Sequence, residues 1–153
     1  MALPDTPRTS IRGFLHRLIT VGGPVKQGLH KLNAMDTSFI EQTVQEDVGR
    51  GQLTRGNSPW GSPAFPTKEA LAHKAIKRKR RMVVDYRALN KVTVKKKFLI
   101  PDSNQIKQQV AGSEFTSFGD LKEGFNQVDN EPETSKKMAV MVASGSYLPR
   151  GLT

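Results

Sequence analysis

Residues 115–128 read FTSFGDLKEGFNQV. In the part just upstream and at its start, EFTSF (114–118) reads as a strand, with Phe115 and Phe118 as its apolar residues. After it comes a lone carboxylate, Asp120, and then a segment, 121–128, that can form a short helix weakened by Gly124. Asp at a strand-to-helix junction is a common N-cap, because its oxygen accepts a free amide of the first turn. Phe125, five residues on, reads by spacing alone as a core residue on the buried side of that helix.

Upstream, RMVVDYRALNKVTV (81–94) predicts two strands, MVVDY (82–86) and KVTV (91–94), around a bend at RALN. Asp85 and Arg87 lie two apart, so on one strand they share a face and read as a structural pair. Further back, GNSPWGSPAFP (56–66) holds three prolines and two glycines and must be extended and turning, not helical. A helix is expected at about 36–48. Asp36 or Ser38 would cap it, SFIE (38–41) has capping-box spacing, and Gly49 and Gly51 would end it. Phe39, Ile40, Thr43, Val44 and Val48 fall on one face. KEALAHKAIKRKR (68–80) gives mixed signals, its alanines favouring helix and its charge an exposed loop. Residues 102–111 read as a short helix and KKMAVMVA (136–143) as a strand. Strands interleaved with short helices place the chain in the α+β class.

Composition narrows the chemistry. The 153 residues contain no cysteine, which excludes disulfides and thiolate metal sites, and three scattered histidines do not suggest a zinc centre. No apolar run reaches the ~20 residues of a membrane-spanning helix, and an intracellular chain, cytoplasmic or nuclear, is expected. The net charge of +10 is confined to one band. Residues 68–97 hold twelve Lys and Arg and two acids, while the rest of the chain balances at twelve and twelve. Such a band suits a polyanion, since each cation near a phosphate releases a condensed counterion. A solvated loop or a nuclear-import patch in KRKRR is the plainer alternative.

Four stretches occur in one order with consistent gaps: GNSPWGSP (56–63), RMVVDYRALNKVTV (81–94), IPDSNQI (100–106) and FTSFGDLKEGFNQV (115–128). Together they resemble the fingers and early palm of reverse transcriptases from gypsy-class long-terminal-repeat retrotransposons. HRLITVGGPVKQ (16–27) resembles the lead-in of that family. The resemblance covers about residues 16–153. It implies an extended lead-in over residues 1–33, and over 34–153 the fingers and incomplete palm of a polymerase right-hand fold. The activity it implies is template-directed nucleotidyl transfer with RNA/DNA template-primer and deoxynucleotide triphosphates as partners.

The resemblance also assigns residues. Asp120 would be a catalytic carboxylate binding Mg²⁺ or Mn²⁺, with the Leu121 carbonyl as a second donor; hard oxygen ligands suit Mg²⁺, and two-metal phosphoryl transfer needs two such ions about 4 Å apart. Phe125 falls at an aromatic gate against the sugar 2′-hydroxyl. Backbone amides near Glu123 and Gly124 would face the triphosphate, with Gln127 on the same segment. Arg81 would grip the triphosphate with its planar fork, and Lys79 would help neutralise it. Lys74, Lys77, Arg78 and Arg80 would line the nucleic-acid side. Trp60 would pack, or in a sharper reading stack on a base.

The chain also departs from the family. AFPTKEALAHKAIKRKR is about six residues longer than the family's turn and lacks its Asp-Gly. Gly119 replaces a large apolar residue, and Arg150 stands where an aromatic is usual. No adjacent Asp pair occurs, so the remaining metal ligands, thumb and RNase H would belong to the rest of the polyprotein. The expectation is a fragment inactive alone, with exposed apolar surface. A non-catalytic basic nucleic-acid-binding module and a decayed remnant without present function are the other readings.

Overall fold

The computed structural model describes residues 13–67, 80–96, 99–121 and 124–152. Two short strands pair in parallel, β1 (Leu15–His16) with β5 (Asp129–Asn130). Five more form a sheet in the order β2 (Leu53–Arg55), β7 (Gly145–Pro149), β6 (Val140–Val142), β3 (Ser62–Pro66) and β4 (Met82–Val84). Within this sheet, among the described residues, β3 and β6 are the one parallel pair, with Ser62 opposite Val140 and Pro63 opposite Met141.

One face of the sheet is closed by α1 (Ala34–Gly49), which sends Ile40 and Val44, one turn apart, against Leu53, Ala64, Val140, Val142 and Tyr147. The helix starts earlier than its capping-box signal. Asn33 is the N-cap and accepts the Asp36 amide at 2.7 Å, so neither Asp36 nor Ser38 has that role. Glu41 instead accepts the amide of Ser144 in the β6–β7 turn. Gly51, at φ +71°, carries the chain out of the helix, with Gln52 N–H returning to the Asp47 carbonyl.

Pro63 lies inside β3, where a proline removes a ladder donor. Its carbonyl still accepts the Asp85 amide at 2.9 Å, and Ser62 N–H reaches Ala139 O at 2.9 Å. At Gly61 a Cβ would stand 2.4 Å from Met141 Sδ, so only glycine lets this strand approach β6 without displacing the methionine.

Several expected elements form differently. MVV is a strand, but RALNKV is α2 (Arg87–Val92) and not a bend followed by a strand. Burial explains the change, because Leu89 enters a second cluster with Trp60 and Met138, against which Val92 packs one turn later. Only Thr93 and Val94 stay extended, and they pair with the lead-in through a Thr20–Thr93 bridge and a bond from Val94 N–H to Ile19 O. KKMAVMVA divides as well. Lys136 and Lys137 end α4 (Pro132–Lys137), a helix with proline at its start, Glu133 in its first turn and bases in its last, the order that suits the helix dipole. Val140, Met141 and Val142 are all buried.

The expected helix after Ile100 is present as α3 (Ser103–Ala111), yet none of its residues is buried. EFTSF is not a strand: residues 113–121 are irregular and exposed throughout. A strand needs a ladder partner for its amides and carbonyls, and none of the described strands lies beside this one. The segment after it shrinks from a helix to a 3₁₀ turn, Gly124–Gln127. KEALAHKAIKRK lies outside the described residues.

Truncating Ile40 to alanine, within the α1–sheet core, should lower unfolding free energy by roughly 2–5 kcal/mol. Ile106→Ala on the exposed α3 should change it by less than about 0.5 kcal/mol. Urea titrations followed by circular dichroism compare the two.

Candidate nucleotide and nucleic-acid site

Asn130 is buried beside the 3₁₀ turn and works as a junction. Its amide donates to Pro149 O at 3.2 Å and Gly151 O at 2.7 Å, and its Oδ1 is 2.9 Å from His16 Nδ1. Backbone bonds from Leu152 N–H to Val128 O and from Asn130 N–H to Arg150 O continue the stitching. The turn carrying Phe125 is thereby fixed against residues 149–152. The lead-in joins here too, with Arg17 paired to Glu131 at 2.9 Å, Leu18 N–H donating to Thr134 Oγ1, and Lys137 Nζ donating to Leu18 O. No sequence signal marked Asn130, since its partners, two main-chain carbonyls and the His16 ring, lie far from it along the chain.

Beyond that junction a half-open cleft of about 340 Å³ opens between the C-terminal end of α1, β4 and the 3₁₀ turn. Met82, Val83 and Val84 form one wall, Asn126 and Gly151 another, and Leu53 and Val140 lie in the lining. Arg81 precedes the first wall by one residue, and Phe125 and Gln127 flank Asn126 in the second. Each of the two regions assigned to the nucleotide from sequence thus adjoins the lining along the chain: Arg81 directly precedes Met82, and the 124–127 turn contributes Asn126. Phe125 is 75 % exposed, so it is not the core residue its spacing suggested. Gln127 and Gly124 are half-buried.

Asp120 and Leu121 are exposed on irregular backbone. The strand expected to hold Asp120 is not formed, so its carboxylate has no stiff platform. Among the described residues no three His, Cys, Asp or Glu side chains gather as metal ligands. One carboxylate and one carbonyl do not complete a donor set for catalytic Mg²⁺, and no catalytic step is derived through a metal.

The basic band divides. Lys74, Lys77, Arg78 and Lys79 lie outside the described residues, as does Glu123. Arg81 is exposed. Arg80 is turned inward: its guanidinium donates to Asp36 Oδ1 and lies 4.6 Å over the Phe39 ring. Trp60 is 8 % exposed, packed against Leu89 and Met138, which removes it from a base-stacking surface.

Asp85 and Arg87 pair as expected, though at a strand-to-helix junction and not along a strand. Asp85, nearly fully buried, accepts the Arg87 amide at 3.1 Å and its Nε and Nη2 at 2.8 and 2.6 Å, while His30 Nε2 stands at 3.4 Å. Hydrogen bonding from the Arg87 guanidinium holds the Asp85 carboxyl well below the usual carboxylate range, with burial opposing it. His30 also packs edge-on to Phe65, with ring centroids 5.4 Å apart.

Comparison with known proteins gives this geometry a lineage. The chain is 33 % identical over 138 residues to the retrovirus-related Pol polyprotein of transposon 297 from Drosophila melanogaster, covering 87 % of the chain and 13 % of that polyprotein. It is 35 % identical over 100 residues to the enzymatic polyprotein of Cestrum yellow leaf curling virus, covering 65 % and 15 %. No family model matches. Among solved structures it superposes on the prototype foamy virus protease–reverse transcriptase with a TM-score of 0.74 at 22 % identity, over 100 % of this chain and 20 % of that one. A foamy viral protease–reverse transcriptase in complex with an RNA/DNA hybrid gives 0.72 at 17 %, over 100 % and 20 %. The chain is a homologue of retroelement Pol polyproteins with part of a reverse-transcriptase fold. This reverse-transcriptase segment spans about an eighth of the transposon polyprotein it matches. Among its described residues no helix is long and apolar enough to cross a membrane.

The acid behaviour of Asp85 follows from its partner. A carboxyl whose folded pKa lies below its unfolded value, about 3.9, adds stability that is present above that range and lost as pH falls through it. Asp85→Asn should lower the urea midpoint at neutral pH and flatten its fall between about pH 5 and pH 2. Midpoints measured across that range check it; parallel curves for the two proteins would remove Asp85 from the acid limb.

Proposed function

We propose that residues 34–153 are the fingers and first part of the palm of a gypsy-class retroelement RNA-directed DNA polymerase, with residues 1–33 as the lead-in. The observation that supports this reading is the cleft lined by Met82–Val84, which directly follow Arg81, and by Asn126 of the Phe125 turn. In this reading the cleft mouth takes a deoxynucleotide triphosphate. Arg81 binds its phosphates through a charge-assisted fork. Phe125, exposed at the turn, excludes a 2′-hydroxyl, and Gln127 and the amides around Gly124 orient the nucleotide. Lys79 helps neutralise the triphosphate, while Lys74, Lys77 and Arg78 hold the sugar–phosphate backbone of an RNA or DNA template-primer, and their effect falls with salt.

Asp120 and the Leu121 carbonyl are the Mg²⁺ or Mn²⁺ ligands this segment contributes. The other carboxylates come from the remainder of the polyprotein, which also supplies partners for 113–121. The chain by itself therefore binds template-primer and nucleotide without extending a primer. A non-catalytic nucleic-acid-binding module is the second reading, supported by the confinement of the whole +10 to residues 68–97.

Fluorescence anisotropy with an RNA/DNA hybrid separates the electrostatic part. Replacing Lys74, Lys77 and Arg78 by alanine should weaken binding and reduce the slope of log K against log salt by roughly 0.7–0.9 per lost phosphate contact. An unchanged slope would show that these cations do not meet the backbone. Primer extension with Mg²⁺ on an RNA template should give no product from the chain alone; product that disappears in Asp120→Asn would overturn the proposed incompleteness while supporting the role of Asp120.

A further inference from the structure

We propose that Asp36 is a positioning residue for Arg81, acting through Arg80; the proposal rests on the reading that Arg81 meets a triphosphate. The two arginines are adjacent, and charge alone would make them interchangeable. The structure treats them oppositely. From residue 80 to 84 the chain alternates half-buried and exposed: Arg80 in, Arg81 out, Met82 in, Val83 out, Val84 in. This is the strand period, in which successive side chains point to opposite faces. Whatever fixes Arg80 inward therefore fixes Arg81 outward.

Arg80 is fixed from two directions. Asp36 accepts from its Nη2, and the ring of Phe39 lies beneath its guanidinium at 4.6 Å. Asp36 and Phe39 are three apart on α1, so they present to the same side. That helix is itself immobilised by Ile40 and Val44 in the core. The hairpin stem is closed at the same level, with Thr67 N–H donating to Arg81 O at 2.8 Å and Arg81 N–H donating to Thr67 Oγ1 at 3.0 Å. Both backbone groups of Arg81 and the side chain of its neighbour are thus held, and its own side chain is exposed. An ammonium at position 80 would keep the charge and lose the planar face that stacks on Phe39.

Electrostatics and positioning give opposite signs when Asp36 is removed. Loss of one acid makes the chain more cationic and frees Arg80, so charge alone predicts tighter anion binding. Positioning predicts weaker binding, because Arg81 loses its register. The test is calorimetric titration of the full chain with inorganic tripolyphosphate at low salt. Arg81→Ala should weaken binding about tenfold. Asp36→Ala should weaken it about threefold or more with Arg81 intact, and Asp36→Glu should restore it. Arg80→Lys, which keeps the charge and perturbs the fold least, should weaken it in the same direction, so the proposal remains testable if Asp36→Ala does not fold. If Arg81→Ala weakens binding while Asp36→Ala and Arg80→Lys leave it unchanged or tighter, Asp36 is no positioning residue. If Arg81→Ala itself has no effect, the assignment of Arg81 to the phosphates fails first.

Discussion

The parallel pairing of β3 with β6 is the contact on which the rest depends. Two antiparallel hairpins, β3–β4 and β6–β7, are each local and each too small to stand alone in water. The Ser62–Val140 and Pro63–Met141 ladder joins them across nearly eighty residues into one sheet. Only then does a continuous apolar face exist for Ile40 and Val44 to cover. The same pairing puts β4 and residues 149–152 on one body, and the Phe125 turn is stitched to the latter. The cleft is a consequence of that ladder, and Gly61, with Met141 against it, sets how closely the two strands meet.

What was legible in the sequence was what depends on near neighbours. The spacing of Ile40 and Val44 gave α1, the prolines of 56–66 gave an extended segment, and Met82–Val84 declared itself by β-branching. Elements decided by distant partners were misjudged. RALNKV became a helix because Leu89 and Val92 reach Trp60 and Met138, a destination that local propensity cannot express. The helix start moved back to Asn33 because a capping box is sufficient for a start but does not exclude an earlier one.

The site divides along the same line. The ordered motifs singled out Arg81 and the 124–127 turn, and the cleft is lined by Met82, next after Arg81, and by Asn126 of that turn. They did not reveal that Arg80 is committed to Asp36 and Phe39, because a run of five bases looks uniform until the strand period assigns alternate faces. For Trp60 the motifs left packing and base stacking side by side, and Leu89 and Met138 against the ring decide for packing. Asn130, the residue that fixes the turn, has no signature at all, for its partners, two main-chain carbonyls and the His16 ring, lie far from it along the chain.

The least settled part of the fold is also the part nearest the proposed chemistry. Phe115, Phe118 and Leu121 stand exposed around Asp120, and α3 buries nothing. Local propensity is not at fault, since EFTSF carries two phenylalanines and a threonine, all good strand formers. A strand's amides and carbonyls gain little over water unless a neighbouring strand takes them up, and its apolar side chains gain nothing until a face covers them. Where the ladder partner is present, as at β3 and β6, even a proline is accommodated; where it is not, good β-formers remain irregular. Pairing, more than propensity, therefore decides whether the backbone at Asp120 is held rigid. In the proposed polymerase the segment that completes the metal's donor set would be the same one that completes this strand's hydrogen bonds. Ordering of the backbone at Asp120 and assembly of the cation site would then be a single event.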